Sequence, residues 1–283
     1  MLIIRIKGGL GNQLFQYAGA KGLAASLGHR LKIDRQTGFP GYPRDPYNRS
    51  YRLDRFHIPQ VLASKAEIWA ARAISWRRWF RWREDESKAM HERREFFHPE
   101  LARQAGARIV YLEAYLQSPR YFANVEENLR SELCPSVEPD LTMNQYLRLI
   151  QGVHAVSLHL RRKEHGSERP VPMNYYRQAV STINAQVTQP HFFIFADDLE
   201  LGERELEWLR PKTIVRNASP DDDVKDLALM AACQHHIIAN STFSWWGAWL
   251  GTDRVGLTIA PQWGWTQSGD LPQNLFPHGW ILI

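Results

Sequence analysis

Ile238-Ala239-Asn240-Ser241-Thr242-Phe243-Ser244-Trp245-Trp246-Gly247-Ala248-Trp249-Leu250 passes from an apolar run, through small hydroxyl and amide residues, into a tryptophan-rich segment. His236 to Ala239 reads as a buried strand and Ser244 to Leu250 as a helix. The polar residues between them then fall at the carboxyl edge of a sheet, where a helix N-terminus offers free N–H groups to an anion. A purely structural account makes the tryptophans core and Ser241 or Thr242 a helix cap. The functional account is a turn that holds a phosphate-bearing ligand, and two other segments fit it.

One is Val156-Ser157-Leu158-His159-Leu160-Arg161-Arg162-Lys163-Glu164. Strand alternation puts His159 and Arg161 on one side and turns Arg162 away. A guanidinium at a strand's carboxyl edge is well placed for bidentate phosphate binding. Pairing of both arginines with surface acids is the structural alternative. The other segment is Gly8-Gly9-Leu10-Gly11-Asn12-Gln13, which lacks both the full dinucleotide spacing and a Walker lysine. Its physical content is an exposed backbone followed by the positive end of a helix.

Outward from these segments the chain alternates. Leu2 to Ile6 reads as a strand, Asn12 or Gln13 to Leu27 as a helix stopped by Gly28, and Leu31 to Ile33 as a second strand. In the second half, strands at 155–160, 192–196, 213–215, 236–239 and 254–259 alternate with helices near 175–185, 201–209, 223–232 and 244–250. That pattern predicts a parallel sheet covered on both faces. The expected class is α/β, in two domains, 1–145 and 146–283, joined near 140–152, with Pro135 to Asp140 reading as a linker. A helix from Ala63 to about Arg94 is rich in Arg and Trp. Its plain reading is an amphipathic helix with a solvated basic face, and its sharper one a contact for an anionic glycolipid or membrane.

Carboxylates follow the same edges. Asp197-Asp198 comes after the strand ending at Ala196, and Asp221-Asp222-Asp223 precedes a helix with Asp226 one turn further in. Such aspartates serve as caps, as metal ligands bridging a diphosphate, or as acceptors for ribose hydroxyls or a guanine edge. The last use is favoured, because arginine already supplies the positive charge.

The chain has 283 residues, 44% hydrophobic and 23% charged, which is ordinary for a globular protein. Its net charge of +5 favours anionic partners without choosing among them. Its 11 tryptophans fit either a core or a sugar-stacking surface. Cys134 and Cys233 lack metal-ligand spacing and suggest reduced thiols in a cytoplasmic protein. The opening Met1 to Lys7 is too short and charged for a signal peptide, and no apolar run approaches a spanning length. Peripheral contact with the inner face of a membrane stays compatible with that.

On these residues the chain resembles the bacterial α-1,2-fucosyltransferases of glycosyltransferase family 11. The matching stretches are Gly8 to Ala18, His159-Leu160-Arg161-Arg162, Phe195-Ala196-Asp197-Asp198, Leu229 to Leu250, and Pro261 to Trp265 with Phe276-Pro277 and Trp280. The resemblance implies two Rossmann-like domains facing a cleft, the GT-B arrangement, with the acceptor on the N-terminal side and the donor on the C-terminal side. It implies inverting, metal-independent transfer of L-fucose from GDP-β-L-fucose to the 2-hydroxyl of a galactose, with no cofactor and no nucleic acid. The acceptor would be a galactose-containing oligosaccharide or a lipid-linked glycan. Carried over, Arg161 clamps the diphosphate with His159 beside it. Gly9, Leu10, Gly11 and Asn12 approach the phosphates, and Asn240, Ser241, Thr242, Phe243 and Ser244 line the donor. Asp197, Asp198 and Asp226 contact ribose or guanine. Glu164 or Glu168 would take the acceptor proton. Where the family usually shows Arg-Arg-Gly-Asp, this chain has Arg161-Arg162-Lys163-Glu164, with a longer acid and no glycine.

Three alternatives stand beside this one. They are a transferase using another nucleotide sugar, a carbohydrate-binding protein without catalysis, and a nicotinamide-dependent oxidoreductase with Asp34 at the ribose.

Overall fold

The computed structural model describes residues 1–41, 44–45, 47–77, 109–162, 170–216, 223–251, 256–265 and 274–283. It forms two compact units, Met1–Cys134 with Pro272–Pro277, and Pro135–Leu271 with His278–Ile283. The division therefore falls between Cys134 and Pro135, before the expected boundary at 145, and a short C-terminal segment returns to the first unit. A helix, Leu141–Gln151, follows the Pro135 to Asp140 stretch that the sequence reads as a linker. Asp140 caps it by accepting the Met143 N–H at 2.8 Å. Met143 and Ile150 then bury against Phe193, Leu229 and Met230 of the second unit.

In the first unit, β1 (Leu2–Arg5), β2 (Leu31–Asp34) and β3 (Val110–Leu112) form a parallel sheet in the order β2-β1-β3. Helix α1 (Leu10–Ser26) links β1 to β2. Helix α2 (Lys65–Arg77) follows, and its Trp69 is 75% exposed. The rest of the expected Trp/Arg helix, to Arg94, lies outside the described residues. Short 3₁₀ turns at Pro119–Tyr121 and Ala123–Val125 precede α3 (Glu126–Glu132).

Two glycines of α1 admit the chain that follows β3. A Cβ on Gly19 would stand 2.6 Å from Leu116 Cβ, and one on Gly22 would stand 2.0 Å from the Tyr121 carbonyl oxygen. At Gly22 the crossing is backbone against backbone, so nothing flexible can yield, whereas Gly19 faces the Leu116 side chain.

The second unit contains α4 (Leu141–Gln151), β4 (His154–Leu160), α5 (Met173–Gln186), β5 (Pro190–Ala196) and α6 (Leu199–Glu205). It continues with β6 (Lys212–Ile214), α7 (Asp223–Ala232), β7 (His235–Ile237), α8 (Thr242–Leu250), β8 (Thr258–Ala260) and β9 (Ile281–Leu282). All pairings are parallel, in the order β6-β5-β4-β7-β8-β9. Alternate β4 residues Val156, Leu158 and Leu160 pack on the α5 side with Tyr175, Tyr176 and Ile183. The opposite face carries Phe193, Phe195, Leu229 and the ring of Phe243. Chain order reverses between β4 and β7, which opens a crevice beyond their carboxyl ends.

Gly22→Ala tests the α1 crossing. Helix propensity alone would stabilise by about 1 kcal/mol, whereas the clash is expected to destabilise by roughly 1–3 kcal/mol. A lowered melting temperature fits the crossing; a raised one refutes it.

Candidate functional site at the sheet reversal

Beyond β4, Arg161 reaches across the reversal and donates from Nη1 to the Asn240 carbonyl at 3.0 Å. Its guanidinium is half-buried at the carboxyl edge, on the β7 side. Arg162 goes the other way, as alternation requires. It pairs with Glu205 at 2.5 Å, donates to the Val171 carbonyl at 2.7 Å and lies over the Tyr176 ring. The two arginines thus part company: one is bolted to the α6 side, and the other spans the reversal to the turn after β7.

The turn after β7 is built by its own polar atoms. The Asn240 side-chain amide donates to the Gly264 carbonyl at 2.8 Å, so that amide is committed to the fold. Ser241 caps α8, accepting the Phe243 N–H at 3.3 Å, and the Ser244 hydroxyl donates back to the Ser241 carbonyl. Trp245, Trp246 and Trp249 are all buried and pack on one another, and Trp280 joins them 5.5 Å from Trp245. These four tryptophans therefore serve the core, not a sugar-stacking surface. They fix α8, whose N-terminus lies two residues past the Asn240 carbonyl that Arg161 grips.

His159 lies on the same side of β4, tilted against Phe243 with the ring centroids 5.9 Å apart. Burial pushes its pKa down to about 4, against an upward pull from Asp197 and with a further push from Arg161. The imidazole is therefore neutral at pH 7. Its Nδ1 is buried and has no hydrogen-bond partner among the described residues.

The aspartates divide. Asp197 accepts the Arg162 N–H at 2.9 Å, and Asp198 caps α6 through the Leu201 N–H at 3.0 Å. Asp226 and Asp223 occupy the first turn of α7. Capping is thus one demonstrated use of the pair. Glu164 and Glu168, the candidate proton acceptors, lie outside the described residues.

In the first unit the glycine turn also follows a strand at a reversal, between β1 and β3. Gly8 adopts φ +80° and Gly9 opens α1 without a side-chain cap. Leu10 and Gly11 are buried, while Asn12 accepts from Gln117 Nε2 at 3.0 Å and Lys7 lies over the Tyr115 ring. Gln13 locks the turn, donating to the Gly8 and Ser50 carbonyls and accepting the Arg52 N–H. Tyr115 and Gln117 carry no local sequence signal; only their place after β3 finds them.

Asp34 at the end of β2 is fully buried and accepts from the Gln36 and Thr37 N–H groups, the Thr37 hydroxyl and the Tyr111 hydroxyl. A carboxylate so engaged leaves no place for a dinucleotide ribose, which removes the support for the oxidoreductase alternative. Among the described residues, no group of three His, Cys, Asp or Glu is placed to hold a metal ion, and no helix is long and apolar enough to cross a membrane.

Together, a doubly wound parallel sheet and a cationic edge beside a helix N-terminus define an α/β fold of the GT-B-like class. The same fold is seen in the α-1,6-fucosyltransferase NodZ soaked with GDP-fucose. That match has a TM-score of 0.52 and 17% identity, covering 88% of this chain and 91% of that one; a NodZ structure from Bradyrhizobium matches likewise. The chain belongs to glycosyl transferase family 11, whose family model matches residues 91–283. It is 30% identical over 313 positions to an Escherichia coli alpha-1,2-colitosyltransferase, across 100% of this chain and 99% of the relative. It is 23% identical to the mouse galactoside 2-alpha-L-fucosyltransferase Sec1, across 91% of this chain and 66% of that protein.

The depressed pKa of His159 has a stability consequence. The unfolded chain takes up this proton below pH 6.5, and the folded chain only near pH 4. Stability is therefore lost as pH falls from about 6.5 to 4, at up to roughly 1.4 kcal/mol per pH unit for one proton. His191 and His235, also lowered by burial, add to the slope. Denaturant titrations across that window are expected to show a shallower pH slope for His159→Gln than for wild type; identical slopes would contradict a buried neutral imidazole.

Proposed function

We propose that this family 11 glycosyltransferase transfers L-fucose from GDP-β-L-fucose to the 2-hydroxyl of a galactose, with inversion and without a metal. The observation that carries the reading is the Arg161 guanidinium, held on the Asn240 carbonyl at 3.0 Å beside the N-terminus of α8. Rupture of the bond from sugar C1 to the phosphate oxygen leaves negative charge on GDP and positive character on the sugar ring. A fixed guanidinium and fixed amide N–H groups stabilise that charge without reorganising, at about 3 kcal/mol for each good contact. The neutral His159 Nδ1 can share a hydrogen bond with the ligand without adding charge. Inversion requires the acceptor hydroxyl to arrive on the face opposite the departing diphosphate. A carboxylate then takes its proton, for which Glu164 is our candidate and Glu168 the alternate.

The α-1,2 linkage is supported by both reported sequence relatives, whose names share it. The colitosyltransferase gives a second donor specific support, namely colitose, the 3-deoxy analogue of fucose. The acceptor is a galactose-containing oligosaccharide or lipid-linked glycan. Cytoplasmic placement, with peripheral contact at the inner membrane face through exposed Trp69, is part of the same proposal.

A donor panel of GDP-fucose, GDP-colitose, GDP-mannose and UDP-galactose tests the reading, run with wild type and Arg161→Ala. Wild type is expected to turn over GDP-fucose, and the variant to lose roughly a hundredfold or more in kcat. Turnover of GDP-colitose alone would replace the donor, and near-normal turnover by the variant would remove the clamp.

The metal-free chemistry has its own check. Excess EDTA is expected to leave the rate unchanged, because arginine and amide groups take the role a divalent cation would play. Loss of activity restored by Mg²⁺ or Mn²⁺ would reverse that assignment.

A further inference from the structure

Two adjacent tyrosines on α5 stand behind the sheet reversal, on the face away from His159 and α8. The Tyr175 hydroxyl donates to the Ile238 carbonyl at 2.7 Å and shares its proton with the Ile259 carbonyl at 3.0 Å. The Tyr176 hydroxyl donates to the His159 carbonyl at 3.1 Å. Both rings are buried and meet edge to face at 5.1 Å. Burial keeps both phenols protonated across any working pH, so each is a permanent donor.

The acceptors are what make the pair notable. His159 precedes Arg161 by two residues on β4, and Ile238 precedes Asn240 by two residues just beyond β7. Those are the two chain ends that the Arg161–Asn240 bond joins. Ile259, on β8, also accepts the Ile238 N–H at 2.9 Å, so Tyr175 ties the start of the turn to the next strand. A single rigid dipeptide thus grips the backbone on both sides of the reversal.

We propose that Tyr175 and Tyr176 are positioning residues that set the separation between Arg161 and the turn at Asn240. The inference rests on the reading of that edge as the diphosphate site. Neither phenol touches the ligand; both act through Arg161 and the α8 N-terminus.

The test compares Tyr175→Phe and Tyr176→Phe with Tyr146→Phe. The Tyr146 hydroxyl accepts the Arg216 N–H at 3.0 Å just after β6, well away from the reversal. GDP affinity by calorimetry and kcat are measured at a temperature where every variant is fully folded. Each reversal variant is expected to lose roughly ten- to a hundredfold in kcat, the cost of misplacing a group by about 1 Å. Tyr146→Phe is expected to lose none, even where its melting temperature falls equally. Combined with Arg161→Ala, Tyr176→Phe should cost less than it does in wild type, because its acceptor lies on the strand that carries that side chain. Equal losses in both backgrounds would overturn the proposal.

A ligand-free arm is amide hydrogen exchange over residues 238–244. Faster exchange there in Tyr175→Phe, and not in Tyr146→Phe, is required; unchanged exchange also overturns the proposal. Failure of the wild type to bind GDP would instead sink the functional reading, and the exchange arm would still decide the brace.

Discussion

A parallel sheet that grows first one way and then the other must leave a gap in its connections where the direction changes. In the second unit that place lies between β4 and β7, and the hydrogen bond from Arg161 to the Asn240 carbonyl spans it. Much around this bond serves to keep its two ends still. Arg162 is bolted to Glu205 and the Val171 carbonyl, and its own N–H is held by Asp197. Asn240 is tied to Gly264, and the following helix is capped by Ser241. A cation held this way has already lost much of its rotamer freedom in the free protein, so ordering it does not have to be repeated when an anion arrives.

The sequence makes the edge legible for a simple reason. Strand side chains alternate with a period of two, and an apolar run that ends in polar residues marks a carboxyl end. Hence the separation of Arg161 from Arg162, and the placing of Ser241 before a helix, follow from order alone. What stays hidden depends on contacts between distant residues. Pro135 to Asp140 reads as a linker, but the helix that follows it at Leu141–Gln151 stays hidden, because Met143 and Ile150 find a hydrophobic partner only in the folded unit. The Asp197-Asp198 pair is visible, but its division into a backbone acceptor and a helix cap appears only once α6 is seen to start at Leu199. Tyr175 and Tyr176 look like any buried aromatic pair until their hydroxyls are traced to carbonyls 63 and 17 residues away.

The two units apply one topological rule with different chemistry. In the first, the strand before the reversal ends in glycines, so backbone is exposed and Gln13 fastens the loop from below. In the second, it ends in a long cationic side chain. The first arrangement can approach a ligand closely but brings little charge beyond the helix end. The second brings a full charge but must hold a flexible side chain in place. That difference accounts for the denser bracing around Arg161.

Rigidity at α8 completes the physical picture. The electrostatic value of a helix N-terminus depends on its N–H groups staying fixed as charge moves onto the leaving group. A nine-residue helix is too short to hold itself in water. Here its stability comes from outside: Trp245, Trp246 and Trp249 fill the core beneath it, and Trp280 returns from the C-terminal segment to pack against Trp245. The tryptophans that at first sight suggest a sugar-binding surface thus do something less direct. They bury the body of α8 so firmly that its polar tip can stay fixed beside Arg161, as the proposed transfer requires.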